Sequence, residues 1–297
     1  MSIEKIVDTY SECFEMWFSR ILITASKKAL AYTAAQNTVG FATSIIMCPA
    51  EAGMEQFLPS HKTPDQRPGY IIQIWARSQK KLHEQVLTRI SQCALTTATT
   101  NIFNYSTSGK ITKPIGKLIA YYGDGYQSQA KKYGRTGWLI PVFDGQCFIE
   151  NVFSYDKGIA GGLLILIGKT QKDLLPIVED IIHSIKQSAL PIITPFPGGF
   201  CRAGSKIGST YSFLKESTNH HFCPTLKQKI DQTLLPQQAN CAYEIVINAI
   251  SEDTLRRAMR IGIETALEKE KIIQITSANY KGQLGSYKIP LRQLVTE

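Results

Sequence analysis

One pattern recurs four times along this chain of 297 residues: an apolar run rich in β-branched residues, then a hydroxyl side chain, then apolar residues at helical spacing. The apolar runs are residues 20–24, 70–75, 163–167 and 243–248, and the hydroxyl residues that follow them are Ser26, Ser78, Thr170 and Ser251. β-Branched runs favour strands, and a serine or threonine hydroxyl can accept a hydrogen bond from a free N–H at a helix start. The pattern therefore predicts four strand–helix units.

Further strands are predicted after each helix, at residues 43–47, 118–122, 192–194 and 272–276. Two β-α-β units in each half predict an α+β fold of two lobes, each with its helices on one face of a sheet. Asp144 and Gly145 are typical of a hairpin turn between two more strands. The lobe boundary is placed near residue 146, which gives an N-terminal lobe of residues 1–146 and a C-terminal lobe of residues 147–297.

The formal net charge of +9 favours an anionic partner, which could be nucleic acid, lipid or a small coenzyme. Seven scattered cysteines without a CxxC pair argue against a disulfide framework or a cysteine zinc finger, and they favour a reducing compartment. The longest apolar run, residues 159–167, is too short to span a membrane, and no secretory signal pattern is evident. We therefore expect a cytoplasmic protein.

Two segments resemble binding motifs without meeting their requirements. Residues 162–170 resemble a phosphate loop, but the residues between the two glycines have strand chemistry and are one too many. His220, His221 and Cys223 resemble metal ligands, with Cys201 as a further candidate, but adjacent histidines on a strand point to opposite faces. The sequence therefore predicts neither a nucleotide loop nor a metal site.

Five loops combine glycine with polar or aromatic residues: 48–53, 123–126, 158–162, 196–199 and 204–208. Each alone is more often a turn, but together they favour a long ligand bound in a groove, because glycine lets backbone approach a ligand closely. Glu244 is the other outlier, a carboxylate within an apolar strand. Alternation places it opposite Ile245, so an exposed position and a buried carboxylate both remain open.

The chain resembles the formylmethanofuran–tetrahydromethanopterin formyltransferase family of methanogenic archaea and methylotrophic bacteria. Six motifs carry the resemblance: residues 40–53 (GFATSIIMCPAEAG), 123–127 (GDGYQ), 158–162 (GIAGG), 195–199 (PFPGG), 217–219 (STN) and 243–248 (YEIVIN). The resemblance implies two ferredoxin-like lobes. It also implies reversible transfer of a formyl group between the amine of methanofuran, or a bacterial analogue, and N5 of tetrahydromethanopterin in one-carbon metabolism. The positive charge favours a bacterial relative, similar to the formyltransferase subunit of a formyltransferase/hydrolase complex.

The resemblance also implies site residues and partners. Glu244 is implied as the catalytic acid. The implied substrate-binding residues are Cys48, Pro49, Glu51, Gly53, Asp124, Gly125, Tyr126, Phe196, Pro197, Gly198, Gly199, Ser205, Lys206, Ser217, Thr218 and Asn219. No bound metal or prosthetic group is implied, and the methanofuran-type coenzyme and tetrahydromethanopterin are co-substrates. We expect a homodimer or homotetramer, or association with hydrolase-complex subunits.

Two other functional classes stay open. One is a catalytically silent coenzyme-binding or scaffolding subunit of the same complex. The other is a basic nucleic-acid binder, which ranks last because no strand carries a run of basic and aromatic residues; neither nucleic acid nor membrane is expected as a partner. Cys48 is an alternative nucleophile, but no histidine is near it in sequence, and we favour a thiol that lines the pocket.

Overall fold

The computed structural model describes residues 3–106, 109, 111–280 and 282–296. The strands are β1 (Tyr10–Thr24), β2 (Glu51–Leu58), β3 (Gly69–Ala76), β4 (Asn101–Asn104), β5 (Ile111–Lys113), β6 (Ser128–Lys132), β7 (Arg135–Val142), β8 (Gly145–Glu150), β9 (Phe153–Gly168), β10 (Ile192–Ile193), β11 (Ser205–Ile207), β12 (Glu216–Thr218), β13 (Cys241–Ala249), β14 (Ile272–Thr276) and β15 (Tyr287–Pro290). The α-helices are α1 (Lys28–Val39), α2 (Gln79–Arg89), α3 (Ile115–Ala120), α4 (Gln171–Gln187), α5 (Glu252–Leu267) and α6 (Gln293–Thr296).

The chain divides into two compact units. Unit A is Met16–Gly158, and unit B is Met1–Glu15 together with Ile159–Glu297. The predicted lobes divide at residue 146 and therefore differ from these units in two segments: residues 1–15 belong with the second half, and residues 147–158 with the first. Both divisions fall inside long strands, β1 and β9, so no linker composition marks them in the sequence.

Unit A contains one β-α-β-β-α-β arrangement built from β1, α1, β2, β3, α2 and β4. Antiparallel pairing gives the strand order β2–β3–β1–β4. Ile21 and Ile23 on β1 share one core with Ala34 of α1 and Leu82 of α2. Alternate strand residues therefore face the two helices, as the α+β prediction requires.

Unit B repeats the arrangement with β9, α4, β10, β13, α5 and β14. Its strand order, β10–β13–β9–β14, corresponds element by element to that of unit A, and these pairings are also antiparallel. Leu164 of β9 and Ile245 of β13 share a core with Leu174 of α4 and Leu255 of α5. The duplicated ferredoxin-like α+β fold is thus present in both units.

The opposite face of the unit B sheet is also covered. Leu163 and Ile165 of β9 pack on that face with Phe222, Leu235 and Ala239. The covering residues belong to the long segment between β10 and β13, which holds short turns and the β11–β12 hairpin. A carboxylate on this face of β13 therefore lies under protein rather than in solvent.

Most of the predicted local structure is confirmed. The hydroxyls of Ser78, Thr170 and Ser251 accept backbone N–H groups at the starts of α2, α4 and α5. The Asp144–Gly145 hairpin joins β7 and β8, with Val142 paired to Gly145. Strands at residues 192–193 and 272–276 also form where they were predicted. None of the described helices is long and apolar enough to cross a membrane.

Three predicted local features are wrong. Residues 43–47 form turns rather than a strand, and β2 starts later, at Glu51. Residues 118–122 belong to α3 and the turn after it, because Ile115 and Ile119 repeat at helical spacing and are both buried. Ser26 does not cap α1: its hydroxyl instead makes a hydrogen bond of 2.9 Å with the Thr99 hydroxyl.

Candidate active site

Glu244 lies on the covered face of β13, and the next residue, Ile245, faces the helices on the other side of the sheet. Glu244 pairs with Ile165 of β9, and its residue is 7% exposed. On its other side an isolated antiparallel bridge joins it to Cys201 through two backbone hydrogen bonds, of 2.8 and 2.9 Å. Of the two interpretations left open by the sequence, the buried carboxylate is therefore the correct one.

Two residues surround the carboxyl group of Glu244. Sγ of Cys201 lies 3.7 Å from Oε1 and donates its hydrogen to it. Oε2 lies close to Gly204, so that a β-carbon on Gly204 would come within 2.7 Å of it. Burial raises the pKa of Glu244 to about 7, although the hydrogen bond from Cys201 opposes this rise. The carboxyl group can therefore exchange a proton near neutral pH.

The carboxyl group opens onto a small cleft next to a larger cavity. Thr218, Asn219 and Arg202 line the cleft together with Glu244. The larger cavity, of about 600 Å³, shares Asn219 and Phe222 with the cleft and is also lined by Lys206 and Tyr280. Asn219 is 9% exposed and stands at the junction of the two spaces. Its side-chain amide has no hydrogen-bond partner among the described residues, so it is available to a ligand.

The structure brings together five of the predicted substrate-binding residues beside Glu244. In the β11–β12 hairpin, Ser205 pairs with Thr218 and Lys206 with Ser217. Asn219 follows directly, and its backbone N–H donates to the Gly204 carbonyl at 2.8 Å. The hairpin and the residue after it thus place a half-buried lysine, three hydroxyl residues and an amide at one edge of the cavities.

The predicted loop of Phe196, Pro197, Gly198 and Gly199 forms a tight turn that packs against α4. Gly198 and Gly199 both have positive φ angles. A β-carbon on Gly199 would lie 2.9 Å from Ile182 and 3.1 Å from Thr194. This turn packs against α4, and none of its four residues lines the cleft or the larger cavity.

Glu12 and Tyr280 belong to the site region although sequence reasoning did not single them out. The buried carboxylate of Glu12 accepts four backbone N–H groups, from Tyr280, Gly282, Leu284 and Gly285. Burial raises the pKa of Glu12, but these hydrogen bonds outweigh that effect and lower it. The Tyr280 hydroxyl donates to the Ser205 carbonyl at 2.9 Å. Glu12 therefore fixes the loop whose tyrosine holds the β11–β12 hairpin.

Cys48, Pro49, Glu51 and Gly53 lie in unit A. The Glu51 carboxylate is buried and accepts the Ile45 N–H at 3.2 Å. Gly53 is buried within β2, Pro49 is exposed, and Cys48 is half-buried. Partial burial raises the pKa of the Cys48 thiol, but hydrogen bonds from the neighbouring chain and the charge of Arg89 outweigh it and lower the pKa. The loop thus carries a thiol with increased thiolate character.

Asp124, Gly125 and Tyr126 also lie in unit A and form an exposed turn. Asp124 and Gly125 both adopt positive φ angles, and the Gly125 N–H donates to the side chain of Gln127 at 2.9 Å. Tyr126 is 83% exposed. The structure therefore places these three residues on the surface of unit A, and their role in substrate binding stays a prediction.

The histidine-rich segment does not form a metal site in the described part of the chain. The rings of His220 and His221 lie 4.2 Å apart, and Nδ1 of His221 lies 2.6 Å from the Gln232 carbonyl. Among the residues that the structure describes, no group of three or more histidine, cysteine, aspartate or glutamate side chains could hold a metal ion.

The chain is similar over nearly its whole length to proteins of one family. The family model for formylmethanofuran-tetrahydromethanopterin formyltransferase matches residues 1–142. A second model, described as the proximal lobe of the same family, matches residues 145–294. The formylmethanofuran–tetrahydromethanopterin formyltransferase of Methanocaldococcus jannaschii is 41% identical, with 97% of each chain covered.

Two solved structures have the same fold. The formyltransferase from Methanosarcina barkeri superposes with a TM-score of 0.93 at 40% identity and covers 98% of each chain. A chain of the formyltransferase/hydrolase complex from Methylorubrum extorquens, solved with methylofuran, gives a TM-score of 0.91 at 33% identity. The match covers 98% of this chain and 96% of that one.

Proposed function

Because the chain belongs to the formylmethanofuran–tetrahydromethanopterin formyltransferase family, we propose that it transfers a formyl group reversibly between the amine of a methanofuran-type coenzyme and N5 of tetrahydromethanopterin. Family models match both halves of the chain, and relatives at about 40% identity carry this enzyme name. The structural observation that carries the proposal is Glu244, a buried carboxyl group with a pKa of about 7 that opens onto a cleft.

The chemistry defines the role of Glu244. The pterin N5 attacks the formyl carbon, a C–N bond forms, and the carbonyl oxygen becomes a tetrahedral oxyanion. The attacking nitrogen loses a proton, and the furan amine needs one when its own C–N bond breaks. We assign both transfers to Glu244, which takes the proton from the first nitrogen and delivers it to the second. The carboxyl group returns to its starting state, so the reaction is balanced in either direction.

Asn219 and Lys206 complete the proposed site in unit B. An oxyanion is stabilised by donors fixed in advance, and the Asn219 amide is buried beside Glu244 without a partner among the described residues. We propose that this amide donates a hydrogen bond to the oxyanion and stabilises it. Nζ of Lys206 donates to the Gly208 carbonyl at 3.2 Å at the edge of the larger cavity. It is available there for the carboxylate or phosphate groups that coenzyme tails carry.

A direct assay tests this proposal. The purified chain is mixed with a formylated methanofuran-type coenzyme and tetrahydromethanopterin, and the formylated pterin is measured together with the reverse reaction. We expect transfer in both directions. Binding of both coenzymes without transfer would favour the alternative, a scaffolding subunit, which has no use for a protonatable buried acid at the cleft.

Metal independence is a second expected result. The described residues offer no cluster of three metal-ligating side chains, and the proposed proton transfers need only Glu244. Exhaustive chelation is therefore expected to leave the rate of formyl transfer unchanged. Activity that disappears on chelation and returns with zinc or iron would contradict this.

Self-association remains a prediction, as does the cytoplasmic location. We expect a dimer or tetramer when the chain is purified alone, which sedimentation velocity at assay concentration would measure. A fully active monomer would contradict this expectation. The assignment of the chain to the bacterial type also remains a prediction. The identities do not support it, because the chain is 40% identical to the Methanosarcina barkeri structure and 33% identical to the chain of the Methylorubrum extorquens complex.

A further inference from the structure

The carboxyl group of Glu244 is held from two sides by residues without an assigned role. On one side is the Cys201 thiol, 3.7 Å from Oε1, on a backbone that is itself paired with Glu244. On the other side is Gly204, where a β-carbon would lie 2.7 Å from Oε2 and 3.6 Å from Cδ of Glu244. Both residues belong to one short segment, residues 201–204, that follows the turn packed on α4.

Gly204 is required here for space rather than for backbone freedom. Its φ lies outside the left-handed region that favours glycine, so alanine fits the backbone. The nearest atoms to an added β-carbon are the two of Glu244 and, at 3.9 Å, Cβ of Asn219. An alanine would therefore displace the end of one flexible side chain and leave the fold in place. That side chain is the one to which we assign both proton transfers.

Cys201 has the properties of a permanent hydrogen-bond donor. Burial and the nearby Glu244 raise the pKa of its thiol to about 12, so it keeps its proton throughout the working range. Among the described residues, the other titratable or charged groups that line the cleft are Arg202, Cys223 and Tyr243. Tyr280 is near enough that the carboxylate adds to the effect of burial in raising its pKa. Among the described residues, it is Cys201 that donates a hydrogen bond to the carboxyl group.

We propose that Cys201 and Gly204 clamp the Glu244 carboxyl group in position, with Cys201 as the hydrogen-bond donor and Gly204 as the residue that leaves room for Oε2. This inference rests on the proposed function for its kinetic test. It makes Cys201 and Gly204 positioning residues, which act on the reaction through Glu244 and not through the substrate.

The donor is tested with Cys201→Ala and Cys201→Ser. Infrared difference titration against Glu244→Gln gives the pKa of Glu244 in each protein. Alanine removes a donor that favours the charged carboxylate, so the pKa is expected to rise by about half to one unit, and the break in the pH–rate profile with it. Serine still donates and is expected to restore values near those of the wild type. An unchanged pKa in Cys201→Ala would overturn the role of the donor.

The space is tested with Gly204→Ala in two backgrounds. In the wild-type background we expect kcat to fall about 10- to 100-fold, because a displacement of about 1 Å at a reacting group can cost that much. In the Glu244→Gln background the same change is expected to cost less than about threefold, since the group on which it acts is already lost. Equal losses in the two backgrounds would overturn the proposal.

Two controls separate the possible causes of failure. Ala203→Ser adds one atom at the exposed neighbouring position and is expected to behave as the wild type. If the wild type itself transfers no formyl group, the proposed function fails, but the infrared titration of Cys201→Ala still tests the clamp. If the wild type is active and Gly204→Ala is folded and fully active, the clamp fails and the proposed function stands.

Discussion

Replacement of Glu244 by glutamine is expected to lower the turnover of formyl transfer by about 10² to 10⁴, the usual contribution of a general acid–base group. Glutamine preserves the shape of the side chain and can still accept the hydrogen bond from Cys201, but it cannot exchange a proton. The furan amine would then have to leave unprotonated, which is a high barrier for a basic amine. The variant is expected to fold and to bind both coenzymes.

Steady-state kinetics between pH 6 and 9, with coenzyme binding measured separately, checks this prediction. Lys186→Gln, on the helix side of the same unit, is a control for the loss of a titratable side chain. Near wild-type turnover of Glu244→Gln would make Glu244 structural. A bound water would then have to transfer the protons, or Cys48, whose pKa is lowered, would have to act as the alternative nucleophile.

The same substitution is expected to stabilise the folded protein at alkaline pH. Burial raises the pKa of Glu244 from 4.5 to about 7, so between these values the folded state keeps a proton that the unfolded state has lost. The stability of the wild type therefore falls as pH rises through this window, and the whole loss of stability is reached above pH 7. The shift corresponds to about 3 kcal/mol. Glutamine has no charge to bury and avoids this cost.

Urea unfolding of both proteins at pH 4.5 and pH 8.5 measures the effect. The free energy of unfolding of Glu244→Gln, relative to that of the wild type, is expected to be about 3 kcal/mol higher at pH 8.5 than at pH 4.5. Glu268→Gln, at an exposed position beyond α5, is expected to change stability by no more than about 0.5 kcal/mol. A difference between Glu244→Gln and the wild type that does not depend on pH would mean that folding does not raise the pKa of Glu244.

The repeated strand–helix units could be predicted because their signals are local. A β-branched run and the capping hydroxyl after it lie within a few residues of each other, so the pattern needs no distant contact. Three of the four hydroxyls do cap their helices. β2 could not be predicted, because it contains Glu51, Glu55 and Gln56 and becomes a strand by pairing with β3. The packing of residues 1–15 with the C-terminal half likewise depends on pairing between β1 and β15, far apart in the chain.

The candidate site was predictable in part for a similar reason. Alternation correctly placed Glu244 on the face opposite Ile245, but it could not show that residues near 222 and 235 cover that face. The roles of Cys201 and Gly204 depend on contacts with a residue some 40 positions away, which no local pattern encodes. Catalysis by Glu244 came from the family resemblance, while its burial and its environment come from the structure.

The protonation state of the Glu244 carboxyl group tests the central claim most directly. Infrared difference spectra between the wild type and Glu244→Gln, recorded from pH 5 to pH 9, isolate the carbonyl stretch of this one carboxylic acid. We predict a protonated carboxyl group at pH 5 that ionises with a midpoint of about 7. A carboxylate that is already ionised at pH 5, or that stays protonated at pH 9, would contradict the assignment of Glu244 as the group that carries the proton between the two amines.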